Sequence, residues 1–285
     1  MNAQSDNNFD DWIGNSREQR ERIDSALPAG MSAALDRDDA PPKDGDPLPP
    51  CWHWMFFCDS TMQSELGADG LPARGALMPP VPLPRRMWAA SQIRFMAPLR
   101  LGEMAVKRSE IASITEKSGK SGRLVFVTLR HTVLNAADAV AIDEEQNIVY
   151  TEAPKPGAMP PLRPAPAEAA WRRDLTPDPV LLFRYSALTF NPHRIHYDQP
   201  YCTGEEGYPG LVVHGPLIAT LMVDLCRRSR PDAEIKEFSF RALSPLFVDH
   251  AMTLGGAPAD DGSSAAVWAA NDEGGLASQG EVKFA

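Results

Sequence analysis

Apolar and polar positions follow two different periods in this chain, and their order splits it into halves. In four successive runs, 89–96, 104–117, 122–135 and 139–150, they alternate as in antiparallel strands. Leu124 with Phe126, and Val127 with Leu129, show the alternation most clearly. The segment Ser118-Gly119-Lys120-Ser121-Gly122 joins two of these runs as a hairpin turn. Four later runs, 234–247, 251–257, 265–270 and 276–284, predict strands again, with turns at Asp260-Asp261-Gly262 and Glu273-Gly274-Gly275. Just before this second set lies a helix. Leu217, Ile218, Ala219, Leu221, Met222, Val223 and Leu225 leave almost no polar face before Asp224, so the helix must be wrapped by other structure. Gly215 reads as its N-cap, Pro216 as its first position and Pro231 as its stop.

The remaining stretches are less regular. Residues 9–38 read as a polar helix followed by a short helical piece near Met31 to Leu35, and 39–50 as a connection. The aromatic run WHWMFFC at 52–58 has strand character, as does the apolar run 180–188. Residues 67–84, rich in Gly and Pro, form a long loop. The stretch APKPGAMPPLRPAP holds six prolines in fourteen positions and reads as a linker. It suggests an N-terminal domain over 1–152, a linker over 153–168 and a C-terminal domain over 169–285.

An internal repeat supports that division. QIRFMAPLRLGE at 92–103 resembles SFRALSPLFVDH at 239–250, aligning Arg94 with Arg241, Pro98 with Pro245 and Leu99 with Leu246, 147 positions apart. Each copy precedes three more strand candidates, which points to a duplicated fold. Only the second half carries the apolar helix and a polar, histidine-rich segment before it.

Composition narrows the function classes. At 285 residues, 43% apolar and 23% charged, the chain has material for a sizeable core. A net charge of −10 argues against nucleic acid or an anionic membrane surface as partner. The polar, acidic start MNAQSDNNFDDW is unlike a presequence, and Cys51, Cys58, Cys202 and Cys226 form no CxxC pair. A reducing cytoplasm is the expected compartment. KSGKSG lacks the spacing of a phosphate loop, and HxxH at His193 and His196 lacks the helical geometry of a zinc site. Neither a metal nor another cofactor is expected.

The chemistry concentrates between Asn191 and Gly215. Asn191, His193, His196 and Asp198 occupy a polar segment, a Gly/Pro-rich turn spans 204–210, and His214-Gly215 opens the helix. Imidazoles titrate in the useful range, and free N–H groups at a helix start suit a developing anion. A core helix with a Gly-Pro start, serving packing alone, fits the local pattern equally.

Asn191-Pro192-His193-Arg194-Ile195-His196-Tyr197-Asp198, followed by His214-Gly215-Pro216-Leu217, resembles the signature of the MaoC-type hydratases and dehydratases of enoyl-thioesters. With WHWMFF and LTFNPHRIHYD it looks most like the bacterial mesaconyl-C4-CoA (3-methylfumaryl-CoA) hydratases. The mitochondrial 3-hydroxyacyl-thioester dehydratases type 2 are similar in the same block. The resemblance implies an α+β double hot-dog, two antiparallel sheets each wrapped around a central helix, the N-terminal copy degenerate. It implies His196 as base and acid, Asn191 (where the family has Asp) holding water and imidazole, and the Gly215 N–H facing the thioester oxygen. Substrate contacts are expected from Tyr208, Gly210, Val212, His214 and Arg241. Arg241 would meet CoA phosphates or a substrate carboxylate, or else serve as a salt-bridged strand residue. Asp198 is expected to cap the next turn, and His193 and Arg194 to lie on an exposed loop.

The expected reaction is hydration of a short branched dicarboxylic enoyl-CoA, most concretely 3-methylfumaryl-CoA to citramalyl-CoA. Itaconyl-CoA hydration and fatty-acid 3-hydroxyacyl-thioester dehydration are the alternatives, and a non-catalytic acyl-CoA-binding protein is the reading from another class. Exposed sheet edges favour a homodimer.

Overall fold

The computed structural model describes residues 9–75, 77–119, 122–153 and 162–285. In the first half it contains strand β1 (Ser16–Arg22), helix α1 (Ala26–Ala34) and strands β2 (Arg85–Phe95), β3 (Met104–Gly119), β4 (Gly122–Leu134) and β5 (Val140–Thr151). The second half contains β6 (Trp171–Leu175), α2 (Pro179–Thr189), α3 (Gln199–Gly204), α4 (Gly215–Ser229), β7 (Ile235–Ala242), β8 (Met252–Pro258), β9 (Ser264–Asn271) and β10 (Leu276–Phe284). The strands make one antiparallel sheet in the order β1-β3-β4-β5-β2-β7-β10-β9-β8-β6.

That order is nearly the same read from either end, as a duplicated unit requires. The halves meet where β2 pairs with β7, and Gln92 faces Ser239 directly. Those two residues are equivalents in the 147-residue repeat, so a pseudo-twofold axis passes between them. The fold is a double hot-dog whose two sheets run on into one. Helix α4 supplies the central helix of the second half, packing on β6 to β10 with Leu217, Leu221 and Leu225 buried. In the first half the short helix α1 and an aromatic plug share a core with Ile93, Ala105 and Val133.

That plug is the WHWMFF stretch, a 3₁₀ turn over Trp52–Met55 and not a strand. Cys51 and Phe57 have φ of 69° and 58°, which bends the chain at both ends and keeps its backbone out of any ladder. Trp52, Met55, Phe56 and Phe57 are buried in the main core. Aromatic content there reflects packing rather than pairing.

Other local readings change for equally physical reasons. Residues 180–188 are helical: Asp178 accepts from the Leu181 N–H at 2.7 Å as N-cap, and Pro179 follows it in the first turn. The polar stretch expected as a helix contains β1, which pairs with β3 along the sheet edge with alternating exposure. Its counterpart at the other edge, β6, was not expected at all. Both edges are charged (SREQRER and WRRDL), which discourages pairing with further strands but hides them from a hydrophobic pattern. Helix α4 starts one residue earlier than expected, with His214 as N-cap and Gly215 inside the helix. Strand β7 ends at Ala242, well short of 247. The tip of the 118–122 turn and residues 154–161 of the proline-rich linker lie outside the described residues.

One buried ion cluster fastens the halves together. The Asp224 carboxylate on α4 accepts from Arg37, from Arg173 at 3.0 Å and from Arg228 at 2.7 Å. Arg173 and Arg228 also donate to the Leu35 carbonyl beyond α1. Arg37 belongs to the first half, and the other two to the second.

Candidate active site

The site is assembled by two short segments stitched together by backbone bonds. Helix α2 ends at Phe190, in a left-handed conformation with φ 47°. Asn191 then turns the chain: its Oδ1 accepts from the His193 N–H at 3.0 Å, an Asx turn. A 3₁₀ turn over Arg194–His196 follows, and Asp198 caps α3 by accepting from the Tyr201 N–H at 3.1 Å. Arg194 is not loose on the surface; it donates to Asp198 at 2.7 Å and to the Ala68 carbonyl at 2.9 Å. The Val212 N–H donates to the Ile195 carbonyl at 3.0 Å, and Val213 N–H to Leu246 at 2.8 Å. These bonds bring the histidine segment beside the start of α4.

A cavity of about 810 Å³ opens there, lined by Asn191, His193, His196, Tyr208, Val212 and Gly215 among others. The first half contributes Trp54, Trp88, Gln146 and Ile148, and the 59–72 region covers one side. Its wall is largely apolar, a setting in which a few polar atoms govern orientation.

His196 is the most constrained of these groups. Its Nδ1–H donates to the Val212 carbonyl at 2.7 Å, which leaves Nε2 with its lone pair and no bond to any described residue. Burial, and secondarily the neighbouring His193, lower its pKa to about 3, although the Val212 carbonyl opposes them. The ring is therefore neutral in the resting protein. His193 also lines the cavity, its ring 5.4 Å from that of His196, with its pKa lowered to about 4 by burial and then Arg86. It was expected on an exposed loop, but the Asx turn at Asn191 directs it inward.

At the start of α4, the Gly215 N–H has no acceptor among the described residues. Open space surrounds the direction in which a Cβ at Gly215 would project, so its backbone borders the cavity without obstruction. Free first-turn amides and the helix dipole together favour negative charge at this point.

Three expected substrate contacts lie elsewhere. His214 is wholly buried behind His196, stacked on it at 3.6 Å between ring centroids and bonded through Nε2 to Ser186 Oγ at 2.8 Å. Gly210 does not line the cavity; its carbonyl accepts from Cys202 Sγ at 3.1 Å. Arg241 is exposed on the outer face of the sheet, beside a separate hollow of about 620 Å³. Strand alternation sends Ala242 to the cavity and Arg241 away from it. Conversely Arg86, Tyr185 and Trp88 line the cavity and were not anticipated. For Arg86 the only sequence signal was a pair of arginines ending a Pro-rich loop.

Fold and site together define a MaoC-like hot-dog dehydratase. The hydroxyacyl-thioester dehydratase type 2 family matches residues 51–248, more than half of the sequence, and the chain belongs to it. The mesaconyl-C(4)-CoA hydratase of Chloroflexus aurantiacus is 48% identical over 239 residues, covering 83% of this chain and 84% of that one. The mitochondrial hydroxyacyl-thioester dehydratase type 2 of Schizosaccharomyces pombe is 30% identical over 232 residues, 73% of this chain and 77% of its own. Among solved structures, a MaoC-like dehydratase from Phytophthora capsici superposes with a TM-score of 0.70 over 95% of this chain and 96% of that one. At 12% identity that likeness concerns the fold alone. Among the described residues, no helix is long and apolar enough to cross a membrane.

Proposed function

We propose that this protein is a hydro-lyase that reversibly hydrates 3-methylfumaryl-CoA (mesaconyl-C4-CoA) to citramalyl-CoA. The observation that carries the reading is one apolar cavity bordered by both a neutral imidazole with an unbonded Nε2 and a free helix-start amide. Its similarity to a hydratase of that name supports the choice of substrate.

In this scheme His196 Nε2 takes a proton from water as the oxygen attacks the β carbon. Negative charge moves to the thioester oxygen, where the Gly215 N–H and the α4 dipole stabilise it. The imidazolium then gives its proton to the α carbon. Because burial makes the resting imidazole a weak base, an anionic substrate assists by raising its proton affinity as it binds. Asn191 cannot act as base. Its Oδ1 is occupied by the His193 N–H, so its amide NH₂ is the end that holds water. Tyr208 and Val212 border the acyl group, while His214 supports the His196 ring from behind without touching substrate.

On this reading residues 1–152 are a degenerate copy, 169–285 the catalytic domain, and the protein works in the cytoplasm as a homodimer on acyl-CoA. Family membership favours one second reading, dehydration of a longer 3-hydroxyacyl thioester in the same largely apolar cavity. Purified protein offered 3-methylfumaryl-CoA, itaconyl-CoA, crotonyl-CoA and a 3-hydroxyacyl-CoA, with products separated chromatographically, decides between them. Turnover confined to the long-chain substrate would reverse the assignment.

A further inference from the structure

Most of the cavity wall is uncharged, yet one guanidinium opens onto it with its bonding unfinished. Arg86, near the start of β2, lines the cavity between the apolar residues Met87 and Pro72. Its Nη2 makes a long bond to the Pro72 carbonyl at 3.3 Å, and the nearest carboxylate, Asp69, stands 3.6 Å away. Its Nε is buried and has no acceptor among the described residues. Such a donor is costly to leave unsatisfied, and these are rare in native proteins unless something else completes them. Directly across the ladder, Tyr150 pairs with Arg86, and its hydroxyl is wholly buried behind that guanidinium. The two side chains thus stand opposite each other on the same side of the sheet, near enough for the guanidinium to act on the phenol.

Charge balance points the same way. The other ionised side chain in the wall among the described residues, Asp59, is already neutralised by Arg17 at 2.9 Å. His193 and His196 are neutral, so Arg86, paired only loosely with Asp69 at 3.6 Å, is the cation lining the cavity among the described residues.

We infer that Arg86 binds a free carboxylate on the acyl group and so restricts this enzyme to dicarboxylic thioesters. The inference rests on the hydratase reading above and replaces Arg241 as the group that recognises that carboxylate. It also fits the chemistry of the substrate. In 3-methylfumaryl-CoA the carboxylate is bonded to the carbon that receives water, so its receptor must stand close to the catalytic histidine. Arg86 acts electrostatically on His193, whose ring lies 5.4 Å from that of His196.

Two unreactive saturated thioesters isolate this contact: succinyl-CoA, which carries the carboxylate, and butyryl-CoA, which does not. Calorimetry should show the wild-type protein binding succinyl-CoA about 30-fold more tightly, the range of a charge-assisted bidentate contact. Arg86→Gln should reduce that preference to below about threefold, and Arg86→Lys, keeping charge without the fork, should retain part of it. In turnover, the kcat/KM ratio of 3-methylfumaryl-CoA to crotonyl-CoA should fall by about the same factor in Arg86→Gln. An unchanged preference in Arg86→Gln refutes the Arg86 assignment and leaves the hydratase reading standing. Loss of butyryl-CoA binding in both variants marks a structural role and refutes it as well. A wild-type protein that prefers succinyl-CoA but hydrates no enoyl thioester sinks the hydratase reading while the carboxylate contact survives.

Discussion

Each half of this molecule buries histidines, but the two halves treat them differently. In the first half, His131 has both ring nitrogens bonded, Nδ1 to Ser109 Oγ at 2.7 Å and Nε2 to Gln146 Oε1 at 3.0 Å. Nearby, His53, Trp54 and Ser91 converge on the Glu144 carboxylate at 3.1, 3.1 and 2.8 Å. Burial alone would push Glu144 up, but the His53 bond and neighbouring positive charge outweigh it and hold the pKa at about 2. Apart from His53 Nδ1, which has no partner among the described residues, that network is bonded internally, and it meets the cavity through Trp54 and Gln146. In the second half, His196 is anchored through one nitrogen and the other is left unbonded at a cavity. A buried histidine is thus internal cement in one half and an open reagent in the other. The lesson is that burial of a histidine says little until both of its nitrogens are accounted for.

The sharpest way to break this comparison is to remove one ring from each half. His196→Ala should lower kcat by about 10³-fold, the scale of a lost general base, while changing the melting temperature by only a few degrees. His131→Leu should do the reverse. Its loss strands Ser109 and Gln146, costing about 2 kcal/mol of stability, with turnover within about threefold of wild type. Steady-state kinetics beside thermal melts would test both. Equal losses of turnover from the two variants would erase the distinction between cement and reagent.

Next in size is the joint between the halves. Asp224 is 1% exposed and is the carboxylate shared by Arg37, Arg173 and Arg228. Asp224→Asn leaves Arg173 and Arg228 without their countercharge, while Arg37 keeps Asp39 at 2.6 Å; the change is expected to cost about 3–5 kcal/mol and to lower the melting temperature by about 10 °C. A melt unchanged within about 2 °C would mean that apolar packing, not this cluster, joins the copies.

How far the sequence announces all this depends on which force shaped each element. Strands β2 to β5 and β7 to β10 bury one face, so alternation marked all of them, least well at the start of β2 and the end of β7. The charged edges β1 and β6 gain their order from ladder bonds, which leave no hydrophobic trace. Helix α2 was misread because its apolar run lacks a clear period; the Asp178-Pro179 start was the better guide. At the site, His196, Asn191 and Gly215 were legible because they are close in sequence and carried by a spaced motif. Arg86 was not, since it reaches the cavity from a strand more than a hundred positions away. Nothing local to PLPRRM distinguishes a receptor from a surface charge.

Acid should reveal the two sets of histidines together. Burial, ahead of neighbouring charges, lowers His131 and His193 to about 4 and His196 to about 3, and places His214 well below its usual range. In the unfolded chain each returns to about 6.5. Above that pH both states are neutral and these groups contribute no pH dependence. Below it the unfolded chain takes up protons that the native protein refuses, so stability falls as pH drops from about 6.5 towards 4, by up to roughly 1.4 kcal/mol per pH unit for each histidine. Urea midpoints should be level from about pH 8 to 7 and decline below about pH 6. His131→Leu should make that decline shallower by one proton's worth. For the same reason kcat/KM should show no acid limb near the ordinary imidazole pKa while the fold persists. A limb at about pH 6.5 in a fully folded sample would mean that the cavity is wetter than its walls imply.

The smallest effect is expected where the two halves are most alike. Arg94 and Arg241 occupy equivalent places in the repeat, and neither lines the active cavity. Arg94 is ion-paired with Asp143, whereas Arg241 stands exposed between Ala90 and Gln279 in the sheet. An exposed strand residue of this kind contributes little to folding, so Arg241→Ala should change stability by no more than about 0.5 kcal/mol. Its bearing on activity separates two ideas about the outer hollow. If Arg241 served the phosphates of CoA, the variant would raise KM for a CoA thioester and leave that of the corresponding pantetheine thioester alone. With the sheet between this side chain and the cavity, both KM values should stay within about twofold of wild type, well under the 1.4 kcal/mol that a tenfold change represents. A selective rise for the CoA form would carry the substrate's nucleotide round to the outer face and make the repeated arginine functional in one copy only.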